Sequence, residues 1–288
     1  MRVDGKLIAA KLLDRLKIQV NQLKQKNILP HLAVVLVGDN PDSLTYIKQK
    51  QKSAITIGIR FSLYHLTEST APTKLSSLVK NLAKAGNVHA LIVQRPLPNR
   101  FDTAATTELV PVQKDVDGFG ERSQFYPPIA LSVIKILNEI YFTHIVGQTR
   151  FTDDFTAPFI SWLKSKHIVL IGIGDTAGFP ISNTFVKNDV PFAIVTSKSP
   201  NREEILIQAD IIITAVGKSE IITVQQIKTG VIIIGVGLHS ENGKLRNDYV
   251  DADIAQKAAF YTPTPGGTGP VNVASLMENV VKAAQTQG

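Results

Sequence analysis

Short apolar runs alternate along the chain with longer segments whose apolar residues recur at helical spacing. The runs have the length and composition of buried strands: LAVVLVG (32–38), FSLYHLT (61–67), ALIVQRPLP (90–98), HIVLIG (167–172), FAIVTSKS (192–199), ADIIITAVG (209–217) and GVIIIGVG (230–237). Apolar strands separated by helices predict an α/β fold in which helices cover both faces of parallel sheets. Such sheets bind ligands at the carboxyl ends of their strands, which is where Gln94, Pro96 and Pro98 are expected.

Two helical segments are predicted near the start of the chain. The first, 6–26, is expected to be an amphipathic helix packed on a core, with apolar positions at Leu7, Leu13, Leu16, Val20 and Leu23. The second is expected from near Ser43 to near Gly58, and it puts Tyr46 and Lys50 four residues apart on one face. Spacing alone favours a solvated lysine face, with Tyr46 at its edge.

Composition excludes several classes of site. The chain has 288 residues, 44% of them hydrophobic and 19% charged, which is typical of a globular enzyme with two domains or one large α/β unit. It has no cysteine, which excludes disulfides and thiolate chemistry, and its six histidines show no ligand spacing, so we expect no metal. No apolar run of membrane-spanning length and no signal peptide are apparent, so we expect a cytoplasmic protein without a membrane partner.

The formal charge of +7 raises the question of nucleic-acid binding. The basic residues are spread along the whole chain, however, and no basic motif interleaved with aromatic residues is present. An anionic small substrate or cofactor explains the excess at least as well, and we expect no nucleic-acid partner.

A glycine-rich turn follows the strand at 167–172. Its glycines, Gly172, Gly174 and Gly178, have the spacing GxGxxxG and precede a predicted helix, so that a phosphate can approach backbone N–H groups. The next strand ends in Ser197, Lys198 and Ser199 instead of the acidic residue typical of NAD sites, which favours the 2′-phosphate of NADP. A glycine-rich connection with no ligand is the alternative.

Two loops carry further candidate residues. In PVQKDVDG (111–118), Asp115 and Asp117 are turn formers, or Asp117 binds the paired N–H donors of a pterin ring through charge-assisted hydrogen bonds. The segment YTPTPGGTGPVNVASLMENVVKAA (261–284) begins as a proline- and glycine-rich loop and continues as an amphipathic helix. This loop is either a rigid floor for a flat ligand or a plain connection.

Four stretches in this order resemble the bifunctional methylenetetrahydrofolate dehydrogenase/methenyltetrahydrofolate cyclohydrolase family along almost the full length of the chain. They are VGDNPDSLTYIKQKQKSA (37–54) with its Tyr-x-x-x-Lys, LIVQRPLP (91–98), KDVDGF (114–119) and TPTPGGTGPVNVASLMEN (262–279). The resemblance implies an N-terminal three-layer α/β folate domain and a Rossmann-like NADP-binding domain around a cleft. It also implies tetrahydrofolate derivatives as substrates, NADP as cofactor and a homodimer.

The expected domain bounds follow from the resemblance. Residues 1–125, joined by the C-terminal helix at about 268–288, form the catalytic and folate-binding domain. Residues 126–267 form the NADP-binding domain, with an insertion near 141–160.

The resemblance also implies roles for single residues on the folate side. Lys50 corresponds to the catalytic lysine, Tyr46 to its hydrogen-bonded neighbour that stacks on the folate, and Gln94 to the amide that holds the lysine. Asp117 corresponds to the aspartate that binds the pterin, and the loop lining the folate contributes Pro265 and Gly269. Whether Lys50 acts as a base, or stays charged as an acid or electrostatic guide, is left open.

On the cofactor side, Gly172, Ile173 and Gly174 occupy the family's Gly-x-Ser turn, Ser197 lies near the 2′-phosphate, and Leu238 contacts the nicotinamide end. This chain departs from the family here, because glycine replaces the turn serine at 174 and GVGLH (235–239) replaces Asp-Val-Gly-Ile-Asn. A further departure is PPIA (127–130) in place of Pro-Cys-Thr-Pro. Two alternatives to the bifunctional enzyme therefore remain: a cyclohydrolase with a degraded cofactor site, and a non-catalytic folate- or nucleotide-binding protein.

Overall fold

A computed structural model describes residues 1–148, 154–241 and 244–288. The chain divides into two compact units. We call residues 10–128 together with 273–288 the 10–128 unit, and residues 1–9 together with 129–272 the 129–272 unit. Each contains a parallel sheet packed against helices, so the predicted α/β fold with parallel sheets is confirmed.

The sheet of the 10–128 unit has three parallel strands in the order β2-β1-β3. Its strands and the helices in this part of the chain are α1 (Gly5–Gln25), β1 (His31–Val37), α2 (Pro41–Ile57), β2 (Arg60–Leu66), α3 (Pro72–Lys84), β3 (Ala90–Val93) and α4 (Thr103–Thr107). The central strand β1 is buried along its whole length, and alternate residues on one of its faces pack against α3. Strand β2 lies at the sheet edge and is partly exposed, so the prediction that helices cover both faces is wrong there.

Two predictions for the first hundred residues of the chain need correction. Leu7 is 54% exposed, and the buried stripe of α1 is instead formed by Ile8, Leu12, Leu16, Val20 and Leu23. The strand predicted over 90–98 ends at Val93, since Pro96 and Pro98 have no N–H to donate to a strand ladder.

The 129–272 unit contains a five-stranded parallel sheet in the order β10-β7-β6-β4-β5. Its first elements are α5 (Pro128–Glu139), a π-helical turn (Ile140–Val146), α6 (Ala157–Lys164), β4 (Ile168–Ile171), α7 (Gly178–Lys187), β5 (Ala193–Val195), α8 (Arg202–Gln208) and β6 (Ile211–Thr214). They are followed by a 3₁₀ turn (Val224–Gln226), β7 (Ile232–Gly235), a hairpin of β8 (Leu238–Glu241) and β9 (Lys244–Asn247), α9 (Asp251–Ile254), β10 (Phe260–Tyr261) and α10 (Thr268–Gln287). Helix α10 continues into the other unit. Ile168 and Leu170 face one apolar cluster, whereas Val169 and Ile171 face a second. The sheet is therefore the middle layer of three.

The strand order creates a switch point in this sheet. From β4 the chain first adds β5 on one side and then crosses back to place β6 on the other side. Ligands of open α/β sheets bind beyond the carboxyl ends of the strands at such a point. The two segments that border it are the turn after β4, beginning at Gly172, and the loop after β6, beginning at Ala215.

Helix α5 and the π-helical turn together form a 19-residue helix, Pro128–Val146, that is long and apolar enough to cross a membrane by length and composition alone. The expectation that no apolar run reaches that length is therefore wrong. In its most apolar window, however, 61% of the residues are buried inside the protein, as in the core helices of many globular proteins.

Part of the expected insertion at 141–160 lies outside the described residues, because 149–153 are not described. The flanking residues pack into the 129–272 unit. The ring centroids of Tyr141 and Trp162 are 5.2 Å apart, and those of Phe159 and Trp162 are 5.8 Å apart. The Lys135 ammonium lies 2.6 Å from a carboxylate oxygen of Asp154 in a largely buried ion pair.

Two buried histidines lie at the amino ends of neighbouring strands in the 10–128 unit. His31 begins β1, and its Nδ1 donates to the Asn87 carbonyl oxygen at 2.8 Å. His89 immediately precedes β3, and its Nδ1 is buried without a hydrogen-bond partner among the described residues. Burial lowers the pKa of both side chains, and for His89 the neighbouring His31 and Lys114 lower the pKa further.

We expect acid to destabilise this unit through the two histidines. Because their pKa values are lowered in the folded state, the unfolded chain binds more protons below the ordinary value of 6.5, and stability falls as the pH decreases through that value. The thermal unfolding midpoint should therefore drop between about pH 7.5 and about pH 5.5. The double variant His31→Gln/His89→Gln should lose much of this drop, whereas His167→Gln, at an exposed position, should retain it. An equal drop in all three proteins would contradict the assignment.

Candidate functional site

Helix α2 positions Lys50. The helix begins at Pro41, two residues before the predicted start, because the side chain of Asn40 caps it by accepting the Ser43 N–H at 3.0 Å. It ends at Ile57 and is capped by Gly58, whose φ of 87° lies in the left-handed region that favours glycine. Lys50 lies in the interior of this helix, so its backbone is fixed by the helical hydrogen bonds and its side chain is partly buried.

Gln94 holds the amine of Lys50. The Lys50 ammonium donates to Gln94 Oε1 at 3.0 Å. Gln94 directly follows β3, and its backbone N–H donates to the Val35 carbonyl oxygen of β1 at 2.8 Å. Its side-chain Nε2 donates to the Arg95 carbonyl oxygen at 2.7 Å, which turns Oε1 towards the lysine. The amide is therefore fixed at both ends before any ligand binds.

Asp117 completes this group from the loop after residue 114. Its carboxylate lies 4.0 Å from the Lys50 nitrogen, and the two side chains are only 12% (Lys50) and 18% (Asp117) exposed. Gly118 has a φ of 69°, and a Cβ there would lie 2.7 Å from the Phe125 carbonyl oxygen. Glycine is thus required next to Asp117, and the loop turns tightly at this point.

Asp115 has a different role from Asp117. Its carboxylate accepts the Gly120 N–H at 2.8 Å and is buried, and this burial raises its pKa, to which the nearby Asp117 adds. Of the two interpretations of the acidic pair, the turn-forming one fits Asp115. Asp117 is the carboxylate that lies beside Lys50.

Asn279 was not predicted as part of the site. Its side-chain amide, on α10, donates to the carbonyl oxygens of Val116 at 2.9 Å and Tyr126 at 3.0 Å, and so fastens the loop that carries Asp117. The available signal was an amide on the apolar face of the predicted helix over 261–284. Periodicity indicates that such an amide is buried but not which carbonyl it meets.

Tyr46 lies one helical turn before Lys50 on α2. No hydrogen bond joins the two side chains among the described residues, and the lysine amine donates to Gln94 Oε1. Burial raises the pKa of the phenol, and the carboxylate of Asp42 raises it further, so the group stays protonated at neutral pH. What Tyr46 offers at this site is an aromatic ring and a hydroxyl donor.

Arg95 was also not predicted from the sequence as part of the site. Its guanidinium lies over the Phe119 ring, 4.2 Å from the centroid, and donates to the Thr107 hydroxyl at 2.7 Å. Phe119 is two residues after Asp117, so this cation–π contact adds a second link between the segment after β3 and the acidic loop. The sequence offered no spacing from which this pair could be identified.

The glycine-rich turn is tightly packed at two of its three glycines. Gly172 has a φ of 91°, and a Cβ there would lie 2.7 Å from the Ala215 carbonyl oxygen. A Cβ at Gly178 would lie 2.2 Å from the Gly172 carbonyl oxygen, at the start of α7. At Gly174, in contrast, no described atom lies within 4 Å of the Cβ position, and both Gly174 and Ile173 are exposed. The turn thus presents bare backbone beside a helix N-terminus, which fits a phosphate group.

The residues after β5 differ in exposure. Ser197 and Lys198 are exposed. The Ser199 hydroxyl accepts the Thr196 N–H at 2.9 Å and closes a local turn. This bond uses an acceptor lone pair of Ser199 and leaves its O–H as a donor. Leu238 begins β8 and is half-buried.

Pro265 and Gly269 belong to the 129–272 unit, Pro265 in the loop between β10 and α10 and Gly269 in the first turn of α10. The loop is held firmly: the Thr268 hydroxyl donates to the Gly235 carbonyl oxygen at 2.6 Å, and the buried Tyr249 hydroxyl donates to the Thr262 carbonyl oxygen at 2.6 Å. Burial raises the pKa of Tyr249 far above its ordinary value.

In the described part of the chain, no three His, Asp or Glu side chains are grouped so that they could hold a metal ion.

Comparison with known proteins places both halves of the chain in one family. The model of the tetrahydrofolate dehydrogenase/cyclohydrolase catalytic domain matches residues 3–117, and the model of the NAD(P)-binding domain of the same family matches residues 159–288. A relative called bifunctional protein FolD, from Nautilia profundicola, is 34% identical over 98% of this chain and 96% of its own length.

Two solved structures are similar to this chain over nearly its whole length. The bifunctional enzyme FolD-methylenetetrahydrofolate dehydrogenase/cyclohydrolase from Campylobacter jejuni is 32% identical, with a TM-score of 0.89 and coverage of 100% of this chain and 99% of that one. The methylenetetrahydrofolate dehydrogenase-cyclohydrolase of Trypanosoma brucei, complexed with NADP cofactor and inhibitor, is 25% identical, with a TM-score of 0.86 and coverage of 99% and 97%. Family models match both halves of this chain, and a relative that is 34% identical covers 98% of it. The chain therefore belongs to the tetrahydrofolate dehydrogenase/cyclohydrolase family.

Proposed function

We propose that this chain oxidises 5,10-methylenetetrahydrofolate with NADP and hydrolyses the 5,10-methenyltetrahydrofolate product to 10-formyltetrahydrofolate. The observation that carries the proposal is the group formed by Lys50, Gln94 and Asp117, in a chain that has both domains of this family. The proposed domains are residues 1–125 with helix 268–288 for folate and residues 126–267 for NADP. The two compact units divide a few residues later, and residues 1–9 fall in the second.

Most residues proposed for the folate side of the reaction belong to the 10–128 unit, whereas Pro265 and Gly269 belong to the 129–272 unit. The Asp117 carboxylate is suited to accept paired N–H donors from the pterin ring, and the Tyr46 ring to stack on it. The Lys50 nitrogen, held 3.0 Å from Gln94 Oε1, is the group proposed to move a proton during water attack and ring opening. Pro265 and Gly269 are proposed to line the folate site, since they fall within the resembling segment TPTPGGTGP (262–270).

The hydride step needs positioning more than acid–base chemistry. Bound NADP accepts the hydride that leaves the methylene carbon. On this chain, Gly172 and Ile173 are proposed to receive the phosphates along the bare backbone of the turn, and Ser197 to bind the 2′-phosphate. Leu238 is proposed for the nicotinamide end. The close packing at Gly172 and the open space at Gly174 fit such a ligand.

A second candidate is a cyclohydrolase that has lost cofactor affinity. It is favoured by one observation, the absence of a side chain at Gly174 where the family has serine. Titration with NADP separates the two, because a cyclohydrolase of this kind turns over methenyltetrahydrofolate but shows no cofactor binding near millimolar concentration. A non-catalytic folate-binding protein would show neither activity.

We also propose a cytoplasmic homodimer whose partners are tetrahydrofolate derivatives and not nucleic acid or a membrane. The family resemblance supports this assembly and location. Sedimentation of the purified protein would test the dimer, and a monomer at micromolar concentration would refute it.

Lys50→Met should lower cyclohydrolase kcat by roughly 100-fold or more, since acid–base catalysis typically contributes that much. The fall is measured as the loss of methenyltetrahydrofolate absorbance in the absence of cofactor. Lys48→Met provides the matched control, because Lys48 is an exposed lysine on the same helix. Equal activity of the two variants would refute a role for Lys50.

Gly174→Ser should strengthen NADP binding by roughly threefold to tenfold, the gain expected from one added hydrogen bond. The exposed position has room for the side chain, and its φ lies outside the left-handed region. The same change at Gly178 should weaken binding, because a Cβ there meets the Gly172 carbonyl oxygen at 2.2 Å. Calorimetry gives both dissociation constants, and a Gly178→Ser variant with unchanged affinity would contradict this account of the turn.

Lys198→Ala should weaken NADP binding by roughly tenfold and leave NAD binding nearly unchanged, because only NADP carries a 2′-phosphate for the ammonium to contact. Ser197→Ala should act in the same direction with a smaller effect. Dissociation constants for the two cofactors are compared within each variant, so NAD is the internal control. Parallel losses for NADP and NAD would place the 2′-phosphate elsewhere.

A further inference from the structure

Asp248 makes an unusual set of contacts in the 129–272 unit. It follows β9 and is 0% exposed. Its two carboxylate oxygens accept three consecutive backbone N–H groups, those of Val216 at 3.0 Å, Gly217 at 2.8 Å and Lys218 at 3.0 Å. A carboxylate removed from water is costly unless it is hydrogen-bonded, and three N–H donors converging on one anion form a backbone nest that meets this requirement.

The loop that Asp248 binds borders the switch point of the sheet. Residues 215–218 directly follow β6, and the glycine-rich turn directly follows the adjacent β4. The two segments touch: a Cβ at Gly172 would lie 2.7 Å from the Ala215 carbonyl oxygen and 2.9 Å from Val216 Cγ2. The position of the loop therefore limits where the turn can lie.

Two glycines make room for this arrangement. A Cβ at Gly237, after β7, would lie 2.1 Å from Asp248 Oδ2 and 2.5 Å from the Gly217 nitrogen. The space beside Gly237 is filled by the Asp248 carboxylate. Gly217 has a φ of 75°, and this left-handed conformation helps to turn the three N–H groups towards one anion.

We propose that Asp248 is a positioning residue for the dinucleotide site, which it serves by fixing loop 215–218 and, through it, the turn at Gly172, without touching the cofactor itself. This inference rests on the proposed NADP-dependent function. It assigns Asp248 no part in the cyclohydrolase reaction, because Lys50, Gln94 and Asp117 all belong to the other unit.

Two variants disturb the contact from opposite sides. Asp248→Asn keeps the size of the side chain but replaces one acceptor oxygen with an N–H₂ group facing backbone donors. Gly237→Ala leaves Asp248 in place but puts a methyl group where its Oδ2 lies, at a position whose φ is not left-handed. Asp210→Asn is the control: Asp210 precedes the same strand β6 at its opposite end and accepts the His167 N–H at 2.8 Å.

The experiment measures NADP dissociation constants, dehydrogenase KM and kcat, and cyclohydrolase activity without cofactor. We expect Asp248→Asn and Gly237→Ala each to raise the dissociation constant and the KM for NADP by roughly tenfold, the loss of one charge-assisted hydrogen bond. Cyclohydrolase activity should stay unchanged in both, and Asp210→Asn should bind NADP as the wild type does.

Wild-type affinity in Asp248→Asn and Gly237→Ala would overturn the inference and leave the proposed function standing. An equal loss of both activities in all three variants would also overturn it, since that pattern indicates general destabilisation. If the wild type itself binds no NADP, the proposed dehydrogenase function fails first and the inference fails with it.

Discussion

The hydrogen bond between Lys50 and Gln94 is the contact on which the proposed chemistry depends. It joins the interior of helix α2 to the end of strand β3, two elements that are each fixed by their own backbone hydrogen bonds. Gln94 is held further by the Val35 and Arg95 carbonyl oxygens, so the lysine meets an acceptor that is already oriented. Preorganisation of this kind removes the entropic cost of arranging the groups when a substrate arrives.

The two units divide the proposed reaction between separate sets of residues. The group around Lys50 lies in the 10–128 unit, whereas the glycine-rich turn and its supporting loop lie in the 129–272 unit. Each set is stabilised within its own unit, by Asn279 in one and by Asp248 in the other. The substitutions that distinguish this chain from its family pattern at Gly174 and 235–239 fall in the second unit.

Much of the fold was predictable from the sequence, because apolar runs and helical spacing are local signals. The strands at 32–38 and 209–217 and the helix carrying Tyr46 and Lys50 were located to within a few residues. Local patterns were less reliable for single side chains: Leu7 has helical spacing but is exposed. The supports provided by Asn279 and Asp248 depend on residues far away in sequence, which periodicity cannot identify. The catalytic and binding roles of the site residues remain predictions.

The bond from Asn279 to the Val116 carbonyl oxygen joins residues 163 positions apart. A ribosome therefore releases the loop bearing Asp117 long before it makes the amide that fastens this loop. Until then the loop that carries the Asp117 carboxylate lacks the two hydrogen bonds from Asn279. The 10–128 unit, although most of it is synthesised first, acquires its finished form only after the 129–272 unit has been translated.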